Sequence, residues 1–178
     1  MKILVMRGSP NRKGSSNLLA DEFIRGAKEA GHYIDLFDTA SANLHPCNGC
    51  NVCGMSEPCC QKDDGGIMRE KILMTDMIVF ATPLYYFDFS AQLKTAIDRF
   101  YSFNGKLMRK RLKAALLVAA WNDDTWTMDS IALHYETLCK YLNFQNQGMV
   151  LGTGCGTVSM TKHTSFPEQA YMLGKRLK

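Results

Sequence analysis

The feature of the sequence that most constrains its fold is a set of short apolar runs with almost no polar interruption. They read KILVM at 2–6, MIVFA at 77–81 and AALLVAA at 114–120. Runs of this length that end in turn residues are typical of strands buried on both faces, as in a parallel sheet. Residues 18–30 instead repeat apolar residues at helical spacing, and Gly31 suits the end of that helix. The chain therefore begins as a strand followed by a helix, the start of the unit from which parallel sheets are built.

The rest of the chain continues this alternation. Further strands are predicted at 33–37 and 147–151, and helices at 67–75, 90–103, 127–142 and 166–177. Strands that alternate with helices form a parallel sheet covered on both faces. Five strands in 178 residues predict a flavodoxin-like α/β fold, an α/β/α sandwich of three layers whose parallel sheet has the strand order 2-1-3-4-5. We expect a single domain over residues 1–178, with a cysteine-rich insertion at about 43–66.

Composition and charge exclude several classes of protein. With 46% hydrophobic and 21% charged residues of mixed sign, the chain is typical of globular rather than disordered proteins. The net charge of +4 is too small to indicate nucleic-acid binding. The basic run KLMRKRLK at 106–113 is expected to be a solvated helix end, or else a patch that attracts nucleotide phosphates. Because no segment is apolar enough to span a bilayer or act as a signal peptide, we expect a cytoplasmic protein without membrane contacts.

Ligands bind at the carboxyl edge of such a sheet, near the point where the strand order reverses. The first loop at that edge, GSPNRKGSSN at 8–17, leaves a strand and enters a helix. It offers hydroxyl groups, amides and two cations, and a helix N-terminus adds backbone N–H groups and a favourable dipole. Because the loop has no Gly-Lys-Ser/Thr sequence, it suits a monophosphate better than a triphosphate with its metal. The alternative is an ordinary turn in which a serine caps the helix.

The second loop at this edge, TPLYYFDFS at 82–90, carries three consecutive aromatic residues directly after a buried strand. Aromatic faces bury a flat ring system well, and a few polar groups then orient that ring. The alternative is that these side chains belong to the core, which the alternation of a strand favours for one of the three.

Together, GSPNRKGSSNLLADEF at 8–23 and ATPLYYFDFSAQLKTAIDRF at 81–100 resemble the NAD(P)H-dependent FMN reductases and the iron–sulfur flavoproteins related to them. The resemblance covers about residues 1–150 and implies a flavodoxin-like fold that binds FMN. It implies that the FMN phosphate is held by Ser9, Asn11, Arg12, Ser15, Ser16 and Asn17. It also implies that the isoalloxazine is bordered by Pro83, Leu84, Tyr85, Tyr86, Phe87 and Asp88, with Trp121 and Asn122 at the pyrimidine edge.

Asp88 departs from the family pattern, in which a small residue, often glycine, is frequent near this position. If its carboxylate points toward the flavin, Coulomb repulsion disfavours the anionic hydroquinone. If it points away, it is placed to cap the helix that follows. The two orientations predict different partners for the carboxylate.

A compact group of cysteines follows the second predicted strand. The spacing C-x2-C-x2-C-x5-C brings together Cys47, Cys50, Cys53 and Cys59. Such thiolate sets ligate [4Fe–4S] clusters, and the spacing resembles that of the iron–sulfur flavoproteins, in which cluster and flavin exchange electrons. Zinc is an alternative, although its structural sites usually join two more distant cysteine pairs. A cluster-free loop over the flavin or at a subunit contact is another, and the adjacent Cys60 leaves the fourth ligand open.

The resemblance implies an enzyme in which hydride passes from NAD(P)H through bound FMN to a flavin, a quinone, a metal ion or a protein. Since hydride chemistry belongs to the cofactor, no side chain is singled out as catalytic, and Tyr86 and Phe87 are expected to shape the stacking site. The alternative is an electron carrier, of the flavodoxin or iron–sulfur flavoprotein kind, that serves protein partners. Members of the family generally assemble, and we expect a homodimer or homotetramer here.

Overall fold

The chain forms a five-stranded parallel sheet, as the apolar runs predict. The computed structural model describes residues 1–56 and 58–178. Its strands are β1 (Lys2–Arg7), β2 (Tyr33–Asp38), β3 (Met77–Pro83), β4 (Lys113–Ala119) and β5 (Gln145–Gly152). Neighbouring strands pair in parallel in the order β2-β1-β3-β4-β5, so the predicted topology is confirmed. Because the order reverses between β1 and β3, a crevice opens beyond their carboxyl ends.

Helices cover both faces of the sheet. They are α1 (Ser15–Glu29), α2 (Gly65–Leu73), α3 (Ala91–Asp98), α4 (Asn104–Lys110), α5 (Asp129–Leu142), α6 (Val158–Lys162) and α7 (Phe166–Lys175), with a 3₁₀ helix at Arg99–Phe103. The helix predicted at 90–103 is thus an α-helix that tightens into a 3₁₀ turn, and the basic run lies mostly in α4. The periodicity misses α6, because five residues make little more than one turn. Within the described ranges no helix is long and apolar enough to cross a membrane.

Alternate side chains of each strand are buried on opposite faces of the sheet. Leu4 and Met6 contribute to the core beneath α3 and α5, whereas Ile3 and Val5 contribute to the core beneath α1 and α7. All four side chains are fully buried. Each stabilises the fold by roughly 1.5–3 kcal/mol relative to an exposed side chain. Burial on both faces is the reason that the strand sequences lack polar interruptions.

Helices α1 and α7 approach each other closely enough to require glycine. A Cβ added at Gly26 would lie 2.1 Å from the carbonyl oxygen of Tyr171, and one added at Gly174 would lie 2.2 Å from that of Phe23. Real carbon atoms do not reach such distances, so the backbones meet where there is no side chain.

The described residues between β2 and α2, at 39–56 and 58–64, form turns and irregular chain rather than helix or strand. A buried ion pair ties this cysteine-rich segment to the core. The guanidinium of Arg99 donates to the carboxylate of Asp63 at 2.6 and 2.9 Å, and to the carbonyl oxygen of His45 at 2.8 Å. The side chains of Arg99 and Asp63 are only 2% and 0% exposed. The pair therefore holds both ends of the segment against the 3₁₀ helix.

Candidate functional site

A cavity of about 500 Å³ lies at the carboxyl edge of the sheet. Its walls come from the loops that follow β1, β3, β4 and β5, so four separate pieces of chain meet there. The lining residues are Ser9, Asn11, Lys13, Gly14, Ser15, Ser16, Pro83, Leu84, Tyr85, Ala119, Trp121, Cys155, Gly156, Thr157 and Val158. This is the position at which folds with this strand order bind their ligands.

The loop after β1 is held in a compact turn. The Ser9 hydroxyl donates to the carbonyl of Asn11 and accepts from its N–H, both at 3.2 Å. The same carbonyl accepts from the N–H of Gly14 and from the amide of Asn17, both at 2.9 Å. The side chain of Asn17 thus stabilises the loop through this hydrogen bond and does not line the cavity. Both cations of the loop are exposed to solvent, and Lys13, unlike Arg12, also lines the cavity.

Two hydroxyl groups at the start of α1 are buried without a hydrogen-bond partner in the described residues. The Oγ atoms of Ser15 and Ser16 have no hydrogen-bond partner among the residues that the structure describes. Gly14 is the N-cap of α1 and provides no side-chain hydrogen bond, so an ordinary serine cap is wrong. The first N–H groups of a helix lack partners within it, and the helix dipole favours a negative charge there. This end of the cavity therefore fits a phosphate group.

The loop after β3 brings three of its predicted residues into the lining of the cavity and leaves Tyr86, Phe87 and Asp88 outside that lining. Pro83, Leu84 and Tyr85 line the wall. Tyr86 is 99% exposed, and the ring centroid of Phe87 lies 5.1 Å from that of Trp126. The alternative that these rings belong to the core is therefore wrong, because all of them are at least partly exposed.

The chain reverses at Tyr86 and Phe87 through an unfavourable backbone conformation. Their φ angles are +46° and +65°, in the left-handed region that favours glycine. Tyr85 and Asp88 on either side exchange backbone hydrogen bonds of 3.2 Å in both directions. Tight turns of this kind usually have Asn-Gly or Gly-Gly at their centre. Two aromatic residues in that place are strained, and strain of this sort concentrates at functional sites.

Asp88 takes neither of the two roles expected from the sequence. Its carboxylate accepts from the N–H of Phe89 at 2.7 Å and lies 2.8 Å from Nδ1 of His134 in α5. The cap of α3 is instead Ser90, whose hydroxyl accepts from the N–H of Leu93 at 3.3 Å. The contact with His134 joins the aromatic loop to α5, and a lone histidine in a helix gives no sequence pattern by which to predict it.

The last two loops complete the cavity. Trp121 lines it, whereas the amide of Asn122 donates to the hydroxyl of Thr127 at 2.9 Å and stabilises a turn. A Cβ added at Gly156 would lie 2.2 Å from the Trp121 ring, so the indole rests on the backbone of the loop after β5. The sequence analysis does not include this loop. The signal that indicates it is the glycine-rich stretch GTGCGT at 152–157, which directly follows a predicted strand.

The cysteine-rich segment forms a second, much smaller cavity. All four predicted ligands, Cys47, Cys50, Cys53 and Cys59, line it together with Arg99. Sulfur is a suitable donor for an iron–sulfur cluster. Over residues 1–56 and 58–178, however, no three His, Cys, Asp or Glu side chains converge on a common metal position. The donor chemistry thus fits a cluster, whereas the observed side-chain arrangement is not that of a formed site.

Electrostatics within this segment are dominated by the buried ion pair. Burial alone would raise the pKa of Asp63. Hydrogen bonds from Arg99 and from the backbone N–H groups of His45 and Gly65 outweigh it and lower that pKa to about 2. The carboxylate is therefore charged throughout the physiological pH range, and the segment stays tied to the core.

Comparisons with known proteins agree with the site at the sheet edge. The sequence profile of the NADPH-dependent FMN reductase family matches residues 1–134. An iron–sulfur flavoprotein of Methanocaldococcus jannaschii is 32% identical over 121 residues, which are 67% of this chain and 63% of that protein. The chain spans between 45% and 63% of the length of three iron–sulfur flavoproteins that it matches.

Two solved structures share the whole fold. An NAD(P)H:quinone oxidoreductase from Methanothermobacter marburgensis superimposes with a TM-score of 0.79 at 20% identity, over 100% of this chain and 99% of the other. An FMN-dependent NADH-azoreductase from Bacillus anthracis, solved with FMN, gives 0.74 at 12% identity over 98% of both chains. At these identities the likeness shows the fold, while the profile match covers most of the sequence. The chain belongs to the NADPH-dependent FMN reductase family.

Proposed function

We propose that the chain holds FMN in the edge cavity and uses it to pass hydride from NAD(P)H to a small-molecule acceptor. The observation that carries this proposal is the pair of buried hydroxyls at Ser15 and Ser16, which line the cavity without a partner in the described chain. Buried polar groups without partners are rare in folded proteins. A ligand with acceptor oxygens would complete their hydrogen bonding.

The phosphate end of the cavity supplies three kinds of interaction. The hydroxyls of Ser15 and Ser16 donate hydrogen bonds, Lys13 provides a positive charge, and α1 offers its free N–H groups. Because α1 has 15 residues, the partial positive charge of its dipole at the N-terminus favours a bound anion. The loop is already ordered by Asn11, so little conformational entropy is lost on binding.

The opposite end of the cavity suits a flat ring. Pro83, Leu84, Tyr85 and Trp121 form a mostly apolar wall against which one face of the ring would pack. FMN, when bound, supplies the capacity to accept a hydride and pass it on. The protein therefore needs to position two substrates in turn rather than provide an acid or base.

The aromatic rim is the best candidate for the nicotinamide site. Tyr86 and Trp121 are 99% and 70% exposed, and Trp126 is 52% exposed beside Phe87. Flat cationic or neutral rings stack favourably on such surfaces. The same exposed rings favour assembly into a homodimer or homotetramer, for which light scattering is the test.

Small-molecule acceptors are favoured over protein partners. The solved neighbours include proteins named as a quinone oxidoreductase and as azoreductases. A flavin, a quinone or an azo compound would stack on the same rim after the nucleotide leaves.

The test is anaerobic mixing of the FMN-loaded chain with NADPH or NADH. We expect visible flavin absorption to disappear and to return when a quinone is added. Dithionite serves as the control, since it reduces the flavin without a nucleotide site. Flavin that dithionite bleaches but neither nucleotide does would contradict the proposal.

A second candidate function is electron transfer through a cluster in the cysteine-rich segment. It is favoured by the four cysteines that line one cavity and by relatives named as iron–sulfur flavoproteins. Iron and sulfide counts on anaerobically purified protein test it, together with the absorption spectrum. Four irons and broad absorption beyond the flavin bands are expected for a cluster, and flavin bands alone would dismiss it.

A further inference from the structure

The cysteine-rich segment leaves the core along residues 43–50 and returns along residues 60–64, and these two stretches are its arms. Hydrogen bonds join the two arms from the core outward. The backbone N–H of Asn43 donates to the carboxylate of Asp64 at 2.7 Å, and that of His45 donates to Asp63 at 3.0 Å. The N–H of Asp64 returns a bond of 2.9 Å to the carbonyl of Asn43. The arms therefore lie side by side at their base.

The contacts between the two arms continue outward to a pair of thiols. The amide of Gln61 donates to the carbonyl of Pro46 at 3.0 Å. Beyond it, the Sγ atoms of Cys50 and Cys60 lie 3.6 Å apart. Both cysteines are exposed and carry free thiols, so small oxidants reach them. Cys60 is the residue that the spacing analysis left outside the ligand set.

Other pairings in the segment are less favourable. Cys59 and Cys60 are adjacent, and their Cα atoms are only about 3.8 Å apart, which is shorter than the usual span of a disulfide. Cys53 is buried, and Cys59 is half-buried beside Arg99. Cys50 and Cys60 combine proximity, exposure and arms that are already aligned.

We propose that Cys50 and Cys60 are a modification site that forms a reversible disulfide on exposure to a hydroperoxide. One sulfur attacks the peroxide oxygen, giving a sulfenic acid, and its proton leaves with the released oxygen as water or an alcohol. The second sulfur then attacks the sulfenic sulfur, the S–S bond forms, and the hydroxyl leaves with the remaining thiol proton as water. Two thiols are oxidised by two electrons, one peroxide bond is reduced, and a dithiol reverses the change.

The disulfide would close a short loop that contains Cys53 and Cys59 and would remove Cys50 from any metal site. Oxidation of the pair and binding of a cluster through Cys50 therefore exclude each other. The inference does not depend on FMN, because no residue of the edge cavity takes part in it.

The test uses the full chain, treated with a chelator and then with equimolar hydrogen peroxide. We expect the titratable thiols of the denatured protein to fall from seven to five. Cyanogen bromide cleavage after Met55 separates the two cysteines unless they are linked. Mass spectrometry without reductant therefore detects a bond between the two fragments, and the variants below assign it to a pair. Dithiothreitol restores seven thiols.

Two variants of neighbouring residues make the test specific. Cys59→Ser is the matched control and is expected to lose two of its six thiols at the rate of the parent. Cys60→Ser is expected to lose thiols at least about tenfold more slowly, because its partner for Cys50 is gone. A Cys60→Ser protein that oxidises as fast as the parent, or a parent in which other cysteines are linked, would overturn the inference.

Discussion

The edge cavity and the cysteine-rich segment differ in how their shapes are fixed. Each wall of the cavity is a loop that follows a strand, and the loops are joined to one another. The hydroxyl of Ser90, for example, donates to the carbonyl of Gly8 at 2.7 Å, and the indole of Trp121 rests on Gly156. The cysteine-rich segment has no helix or strand in its described parts, and one buried ion pair ties its base to the core.

This difference indicates that the cavity is formed before its ligand arrives, whereas the cysteine-rich segment is held by a small number of polar contacts. A preorganised site loses little conformational entropy on binding. Farther out, the hydroxyl of Tyr101 donates to the side chain of Asn51 at 2.7 Å, and the N–H of Gly105 donates to the carbonyl of Met55 at 3.3 Å. These few contacts leave the exposed thiols available for either a metal or one another. The two regions are therefore expected to respond separately to mutation.

The largest expected effect comes from Arg99→Met. Removing the guanidinium leaves the carboxylate of Asp63 buried without its partner, which costs about 3–5 kcal/mol of the free energy of unfolding. Denaturant unfolding measures this loss. Under conditions in which the variant is folded, its FMN affinity should remain within about threefold of the parent if the regions are independent.

Lys94→Met is the matched control, because Lys94 pairs with Asp98 on an exposed helix face. Exposed pairs at this spacing contribute about 0.3–0.5 kcal/mol. A loss below about 1 kcal/mol in Arg99→Met would show that the ion pair does not anchor the segment.

A smaller effect is expected from acid. The pKa of Asp63 is about 2 in the folded chain, against a usual value of 3.8. As the pH falls from about 4 to 2, Asp63 is protonated in the unfolded chain but stays largely charged in the folded chain. The free energy of unfolding therefore falls by about 2 kcal/mol. Denaturant unfolding at several pH values measures the slope. Asp63→Asn should lack this part of the acid dependence, and an unchanged slope would contradict the assignment.

The smallest predicted change is a gain in stability at the cavity rim. Tyr86 has a φ of +46° and is 99% exposed, so Tyr86→Gly relieves strain and removes almost no packing. We expect a gain of about 1 kcal/mol in the free energy of unfolding, with weaker use of NAD(P)H if the ring stacks on the nucleotide. Asn143→Gly, at a φ of +57°, is the control and should gain less, because asparagine tolerates this conformation.

Much of this organisation follows from the sequence. Continuous apolar runs predict parallel strands, and the strand order then places the loops after β1, β3 and β4 at one edge. Of the residues that the resemblance singles out, eight lie together in the lining of the edge cavity: Ser9, Asn11, Ser15, Ser16, Pro83, Leu84, Tyr85 and Trp121.

The features that the sequence does not predict arise from distant contacts. His134 reaches Asp88 from a helix 46 positions later in the chain, and the loop at 155–158 reaches the cavity because it follows β5, which pairs with β4. The proximity of Cys50 to Cys60 follows from the hydrogen bonds between the two arms and not from the spacing of cysteines along the sequence. Periodicity describes neighbours along the chain, and these contacts join residues that are far apart in it.

The buried hydroxyls at the start of α1 are proposed to bind the phosphate of FMN, and the affinities of the chain for FMN and for riboflavin, which lacks the phosphate, measure that interaction. Two hydrogen bonds to a charged group, at about 1.5 kcal/mol each, contribute about 100-fold to the preference for FMN, in addition to Lys13 and the N–H groups of α1. Ser15→Ala combined with Ser16→Ala should lower the preference by about that factor without changing riboflavin affinity, and Ser41→Ala, on an exposed hydroxyl outside the cavity, should not lower it. Equal affinity of the parent chain for FMN and riboflavin, or a double variant that keeps the full preference, would show that these hydroxyls do not bind the phosphate.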